Sequence, residues 1–296
     1  SLAALIALAA RTPLPVLKGL FRAAAGAAFV LGIRRRVVVE NLRAAFGTGL
    51  ADERVRGLAR ECYLEFGRIA AEIAGADALL GEPDKFFRLS GAETLAAPRD
   101  GRGMIVLTAH LGNFLAAGYL LRKKGHPLTF LAKAMRNPEA GREIEKLYGR
   151  YGNRVVTIRG FRNDPAGGRK LFRSLREGET VIILNDQDAG PEGYRSTFFG
   201  LPTFIPSGPA RYAVRTGAPI ATGFATREGE SIVVEIQAPI DHSRAATAEE
   251  AEAIILDEYT RRLEAKVREA PASYFWFHKK WKAVPEIRAR YEGRVP

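Results

Sequence analysis

The sequence predicts an α/β protein in which a mostly parallel β-sheet is flanked by helices and preceded by a helical N-terminal cap. Three observations carry this expectation. From Met104 onward, short apolar runs alternate with segments of helical period, the pattern of parallel strands covered on both faces. Before residue 76 the periodicity is helical, and no internal repeat or low-complexity linker divides the chain. One domain over residues 1–296 is therefore expected, with 1–75 as a helical part and 76–296 as the α/β body.

In chain order, VVVENLRAAF is amphipathic, and residues 51–75 keep a helical period through Val55, Leu58, Ala59, Cys62, Tyr63, Phe66, Ile69 and Ile73. The predicted strands are MIVLTA, PLTFLA, RVVTI, TVIILN, APIATGFA and SIVVEI, each a short run rich in β-branched residues or bounded by turn formers. Helices are predicted over 114–124, 138–151, 167–177, 207–216 and 247–269. The composition, 47% hydrophobic and 26% charged, excludes disorder, collagen and coiled coil as descriptions of the whole chain. A lone cysteine, Cys62, excludes a disulfide framework and a cysteine-based zinc site.

The net charge of +12 is unevenly placed. Residues 1–50 hold seven basic side chains and one acid, and residues 271–296 hold six basic and two acidic ones, so the ends account for +10 of the total. The N-terminal end is also apolar, but its longest clean run, residues 23–33, is short of the roughly 20 residues a spanning helix needs. Followed by Arg34, Arg35 and Arg36, it reads either as an interfacial helix on an anionic membrane or as a helix packed on its own domain. The methionines are Met104 and Met135, so Ser1 is not a natural start, which leaves room for an upstream span or anchor.

Ligands of parallel α/β sheets gather at the carboxyl ends of the strands. Two strand ends here carry chemistry: MIVLTA runs into His110 and the turn Leu111-Gly112-Asn113, and TVIILN runs into Asp186-Gln187-Asp188. An imidazole at such a position can take a proton from an attacking hydroxyl, although a strand-end histidine is more often structural and a strand-end acid is commonly a cap. His126 and His242 read as surface residues, and His278 in the aromatic-basic YFWFHKKWK as an interface residue or a ligand. No phosphate-binding glycine motif, GxSxG elbow or metal-ligand spacing occurs, which leaves acid-base chemistry without cofactor or metal.

These residues resemble the lipid A late acyltransferases and, more broadly, the lysophospholipid acyltransferase superfamily. The resemblance runs through RRRVVVENLRAAF and Glu72, TAHLGNF, Arg136-Asn137-Pro138 with Arg150 and Gly152, LREGETVIILNDQD, the STFFGLPTFIPSGPARYAVRTGAPI block and WFHKKWK. It implies a glycerolphosphate-acyltransferase-like fold. It also implies transfer of a fatty acyl group from an acyl carrier protein or coenzyme A thioester to a hydroxyl of a lipid or glycolipid, such as a lipid A precursor, at the cytoplasmic face of an inner membrane. His110 would be the general base. Arg136 and Arg150 would meet phosphate, Gly112 and Asn113 would offer donors to the oxyanion, Asp186 and Gln187 would form the Asp-Gln strand end, and Phe199 and Gly200 belong to the matching FFG block.

One position departs from the family pattern. After the histidine and four intervening residues the family places an acid, and this chain has Leu115. Three readings are open: Asp186 orients His110 from a neighbouring strand, the chain has altered activity, or it binds acylated lipids without turnover. No Asp or Glu lies between Asp100 and Glu139 to act as a local substitute. If a carboxylate is missing, Leu115→Glu should raise the rate. The basic ends favour an anionic bilayer as partner. Nucleic acid is not expected, because no recognition motif accompanies the charge.

Overall fold

The computed structural model describes residues 12–47, 50–96, 102–135, 137–159 and 164–293. Three helices lead the chain. Helix α1 (Leu14–Val30) starts behind Pro13 with Pro15 in its first turn, where a missing N–H costs nothing. Helix α2 (Arg35–Phe46) is bent 85° from α1. At the bend Arg34 holds a left-handed conformation (φ 59°), and its guanidinium donates to the Phe277 carbonyl at 2.7 and 2.9 Å. Helix α3 (Asp52–Ala74) opens with Asp52 and Glu53, which complement its dipole, and packs along α1. No single described helix is long and apolar enough to cross a membrane, although α1 and α2 jointly have the length and composition.

Short helices α4 (Ala76–Gly81) and α5 (Pro83–Phe86) lead into strand β1 (Phe87–Ser90) and the turn-like α6 (Glu93–Ala96). The alternation expected from Met104 onward follows: β2 (Met104–Thr108), α7 (Phe114–Lys123), β3 (Leu128–Lys133), α8 (Pro138–Tyr148), β4 (Arg154–Ile158), α9 (Pro165–Arg176) and β5 (Thr180–Leu184). A hairpin of β6 (Tyr194–Phe198) and β7 (Leu201–Ile205) interrupts it before α10 (Gly208–Thr216), β8 (Ile220–Glu228), β9 (Ser231–Ile236), α11 (Ala248–Glu269) and α12 (Pro285–Glu292).

The main sheet has seven strands in the order β1-β9-β8-β2-β5-β3-β4. Every neighbouring pair is parallel except β8–β9, so the expected mostly parallel sheet is present with one reversal toward the β1 edge. Side chains of a strand alternate between faces, and here both faces are covered. Ile105 and Leu107 of β2 with Val181 and Ile183 of β5 join an apolar cluster that includes Leu171 of α9, Ala213 of α10 and Leu256 of α11. Val106 and Ile182, one residue out of step, join a second cluster with Leu79 of α4 and Leu115 and Leu120 of α7.

Two features depart from the sequence reading. Strand β1 and the β6–β7 hairpin were not expected. The C-terminal aromatic segment, part of the basic end expected to face a bilayer, is also largely internal: Trp276 and Trp281 are 0% exposed and stack on each other, and Tyr274 meets Trp276 edge-on inside the first cluster. Burial of two indoles and a phenol outweighs any interfacial preference of the segment.

Candidate active site

Parallel register brings the two chemical strand ends together. Thr108 of β2 lies opposite Leu184 of β5, so His110 and Asp186 each stand two residues beyond a matched pair and point to the same side. His110 Nδ1 and Asp186 Oδ1 are 2.9 Å apart. The acid side chain is 3% exposed and the imidazole 25%, so the ring spans from a buried carboxylate to an open surface. A carboxylate there accepts from Nδ1–H, which leaves the Nε2 lone pair as the proton acceptor.

Burial alone would raise the Asp186 carboxyl, yet His110 and Lys280 hold it below the usual carboxylate range. Lys280 is 3% exposed and donates through Nζ to the Asp186 carbonyl at 2.6 Å. Its own burial pulls the ammonium down to about 8, against the opposing pull of Asp186 and Asp188. Burial and the same carboxylate push the Tyr148 phenol up to about 12 and the Tyr274 phenol well above its ordinary value. The strand end after β5 thus carries two buried carboxylates, Asp186 beside Lys280 and Asp188 3.4 Å from Lys282.

The loop from His110 to Asn113 is clamped on several sides. The Phe275 N–H donates to the His110 carbonyl and the Gly112 N–H to the Ser273 carbonyl, both at 2.9 Å, while Leu111 bridges to Tyr274. Gly112 has φ +55°, and a Cβ on it would sit 1.9 Å from the Ala225 carbonyl oxygen, so only glycine fits between the loop and β8. The imidazole lies between the rings of Phe114 (5.6 Å) and Phe275 (5.7 Å). Asn113, 1% exposed, caps α7 by accepting from the Ala116 N–H at 3.0 Å and donates its amide to Glu72 Oε2 at 3.1 Å.

Several residues expected in the site have other partners. The Gly112 amide and the Asn113 side chain, expected to face an oxyanion, are bonded to Ser273 and Glu72 as above, because the loop itself needs those contacts. Arg150, expected at a phosphate, donates to the Ile73 carbonyl at 2.9 Å, in the last turn of α3, and to the Tyr151 hydroxyl at 3.1 Å. There it complements a helix C-terminus. Phe199 (φ 53°) and Gly200 (φ 72°) form the two-residue turn between β6 and β7, with Phe198 paired to Leu201. The Phe199 ring is buried under Arg268, at 4.3 Å. Gln187 is half-buried beside Asp186. Arg136 lies outside the described residues.

His278, left open as an interface residue or a ligand, is instead an internal cap: its Nε2 accepts from the Asp188 N–H at 3.2 Å. Desolvation, aided by Lys282, lowers its pKa to about 4. Between the unfolded value near 6.5 and 4 only the unfolded chain takes up this proton. Stability is therefore expected to fall as pH drops through that window, by up to roughly 3 kcal/mol from this group. In urea unfolding at pH 7 and pH 4.5, His278→Gln should show a smaller acid loss than the unsubstituted protein; an equal loss would assign the effect elsewhere.

Leu115, where the family pattern has an acid, is 1% exposed in the apolar cluster beneath α7. Beside it runs an apolar slot lined by Val106, Phe114, Gly118, Phe130, Ile182 and Phe224, with about 30 Å³ of free space. Phe114 belongs both to this slot and to the rings around His110, so the slot leads away from the imidazole into the layer between α7 and the sheet. Among the described residues no group of three or more His, Cys, Asp or Glu is placed to hold a metal ion.

Sequence reasoning missed the roles of Glu72, Ser273, Phe275 and Lys280. For Glu72 a signal existed: an acid stands among the buried positions of α3, next to Ile69 and Ala71. Nothing in WFHKKWK distinguishes the buried Lys280 from its neighbours.

The family model described as bacterial lipid A biosynthesis acyltransferase matches residues 2–283. A phosphatidylinositol mannoside acyltransferase of Mycolicibacterium smegmatis is 25% identical over 192 residues, 64% of this chain and 61% of that protein. The protein of the same name from Mycobacterium tuberculosis H37Rv is 26% identical over 195 residues, 64% of this chain and 57% of its own length. The chain thus matches less than two thirds of the length of these curated relatives. A solved structure, the 1-acyl-sn-glycerophosphate acyltransferase of Thermotoga maritima, aligns with a TM-score of 0.40 at 17% identity, covering 85% of this chain and 98% of that one.

Proposed function

The chain belongs to the bacterial lipid A biosynthesis acyltransferase family, and from that premise we propose that it transfers a fatty acyl group from a thioester donor to a glycolipid hydroxyl, with His110 as general base. The donor is an acyl carrier protein or coenzyme A thioester. The acceptor is a lipid A precursor or a related glycolipid; the family is named for lipid A and the relatives for phosphatidylinositol mannosides. The observation that carries the reading is the 2.9 Å contact between His110 and Asp186 beside an apolar slot.

The acceptor hydroxyl gives its proton to His110 Nε2 as its oxygen attacks the thioester carbon. Asp186 orients the ring and stabilises the imidazolium. Collapse of the tetrahedral intermediate expels the thiolate, which takes the proton back from the imidazolium, so ester and thiol leave and the enzyme is restored. The acyl chain follows the slot from Phe114 toward Phe130, and the slot must widen by rotation of such side chains to admit it. The test is a transfer assay with acyl thioester and glycolipid acceptor, with His110→Ala as the blank. Transfer well above that blank is expected. Glycolipid retained without any transfer above it would replace this reading with a non-catalytic lipid-binding one.

The working surface is an anionic membrane, at the cytoplasmic face of the inner membrane. Val16, Leu20, Val30, Leu31 and Ile33 on and after α1 are 51–76% exposed, a patch large enough to enter the headgroup region. Arg35 and Arg36 flank it, Arg35 bonded to the Phe29 carbonyl of α1 and Arg34 to Phe277. Each buried leucine contributes about 1.5–3 kcal/mol. Leu20→Asp with Leu31→Asp should therefore weaken binding to anionic vesicles at least about 100-fold, and salt should weaken binding of the unsubstituted protein. Unaltered sedimentation of the double variant with vesicles would remove α1 from the membrane contact.

A further inference from the structure

Glu72 is a carboxylate with 1% exposure at the far end of α3, and it joins its own helix to α1, β8 and the loop before α7. Its Oε2 accepts from Asn113 Nδ2 at 3.1 Å and from Arg227 Nη2 of β8 at 2.7 Å. Its Oε1 accepts from Arg68 Nε of its own helix at 3.3 Å and lies 3.7 Å from Lys18 Nζ of α1. The cluster is balanced in charge, with Lys18, Arg68 and Arg227 facing Glu72, Glu65 and Glu230, and of the three acids Glu72 is the most buried and the one bonded to Asn113.

The Asn113 contact gives the cluster a direction. Asn113 caps α7 with its oxygen and uses its amide for Glu72, three residues after His110. Between them stands Gly112, pressed against the Ala225 carbonyl of β8, the strand that also carries Arg227. Ala225 thus meets the loop directly through its backbone, while Arg227, two residues on along β8, reaches it through Glu72, which bonds Asn113. A loop held in this way fixes the imidazole by its backbone as well as by Asp186, and misplacing a base by about 1 Å costs about 100-fold in rate.

We propose that Glu72 is a positioning residue for the reaction, acting through Asn113 and Arg227 to fix the loop that carries His110. The inference rests on the acyltransfer reading above. Because a fixed base matters in the transition state and not in substrate binding, its loss falls on kcat with KM unchanged.

The test compares Glu72→Gln with Glu65→Gln, which removes the outer partner of Arg227 without touching Asn113, and with Asn113→Ser, which keeps a cap for α7 and removes the amide. In transfer assays Glu72→Gln and Asn113→Ser should lower kcat about tenfold or more with KM within about twofold, while Glu65→Gln keeps kcat within about twofold. In nitrogen NMR of the histidine rings, the unsubstituted protein should show a fixed Nδ1–H tautomer for His110; Glu72→Gln and Asn113→Ser should broaden or shift it, and Glu65→Gln should not. Equal kcat losses in Glu72→Gln and Glu65→Gln, or an unmoved His110 signal in both Glu72→Gln and Asn113→Ser, would overturn the proposal. Absence of transfer by the unsubstituted protein defeats the function reading alone, since the NMR comparison still decides the positioning role.

Discussion

Replacing Asp186 by asparagine is expected to lower kcat by about 10³- to 10⁴-fold, nearly as much as removing His110. The side chain is almost isosteric and the site is buried, so the backbone should hold. What is lost is charge: an amide neither selects the Nδ1–H tautomer nor stabilises the imidazolium. Lys280 sharpens the effect, because with asparagine at 186 its buried ammonium keeps the residue-186 carbonyl but loses the nearby Asp186 charge and retains only that of Asp188. The sign of the pH dependence follows from the lowered Asp186 pKa. The stabilisation from the ionised carboxylate is present above the unfolded value near 3.8 and is lost as pH falls through the folded one. Steady-state kinetics at neutral pH with a circular dichroism check measure the prediction; a loss below tenfold would mean that Asp186 does not orient the base.

Leu115→Glu is expected to destabilise the protein by about 3–5 kcal/mol and to bring no gain in rate. The sequence alone suggested the opposite, a faster enzyme if an orienting acid were missing. Leu115 is buried in the cluster with Leu120, Phe130 and Ile182, where a carboxylate has no partner. The helix N-terminus nearby offsets only about 1 kcal/mol of that cost. Since Asp186 already contacts Nδ1, a second acid has no ring nitrogen to orient except the one needed for catalysis. Urea unfolding and the transfer assay together test this, and a stable variant with a higher rate would show that the base is under-supported as it stands.

The six strands of the main sheet from Met104 onward and the helices between them were legible because their apolar residues repeat with periods that depend on local geometry alone. Strand β1 was not, since FRLS has four residues and becomes a strand by pairing with β9. The β6–β7 hairpin carried a weak signal in Phe199-Gly200 that the family likeness drew toward substrate binding, whereas its left-handed backbone is that of a tight turn. Arg150 likewise looked like an anion ligand. In the fold its nearest claim is the last turn of α3, which no local pattern reveals.

The sequence by itself determined the α/β alternation, the placement of His110 and Asp186 at strand ends, and the uneven charge, because each depends on residues close together in the chain. Which carboxylate meets His110 was decided only by tertiary structure. The two are 76 residues apart and become neighbours through the β2–β5 register. The same holds for Lys280 beneath Asp186 and for Glu72 behind Asn113, 94 and 41 residues from their partners. A hydrogen bond is set by distances of about 3 Å, and the strand order and helix packing that bring such groups within reach arise from burying two apolar faces, not from any local motif.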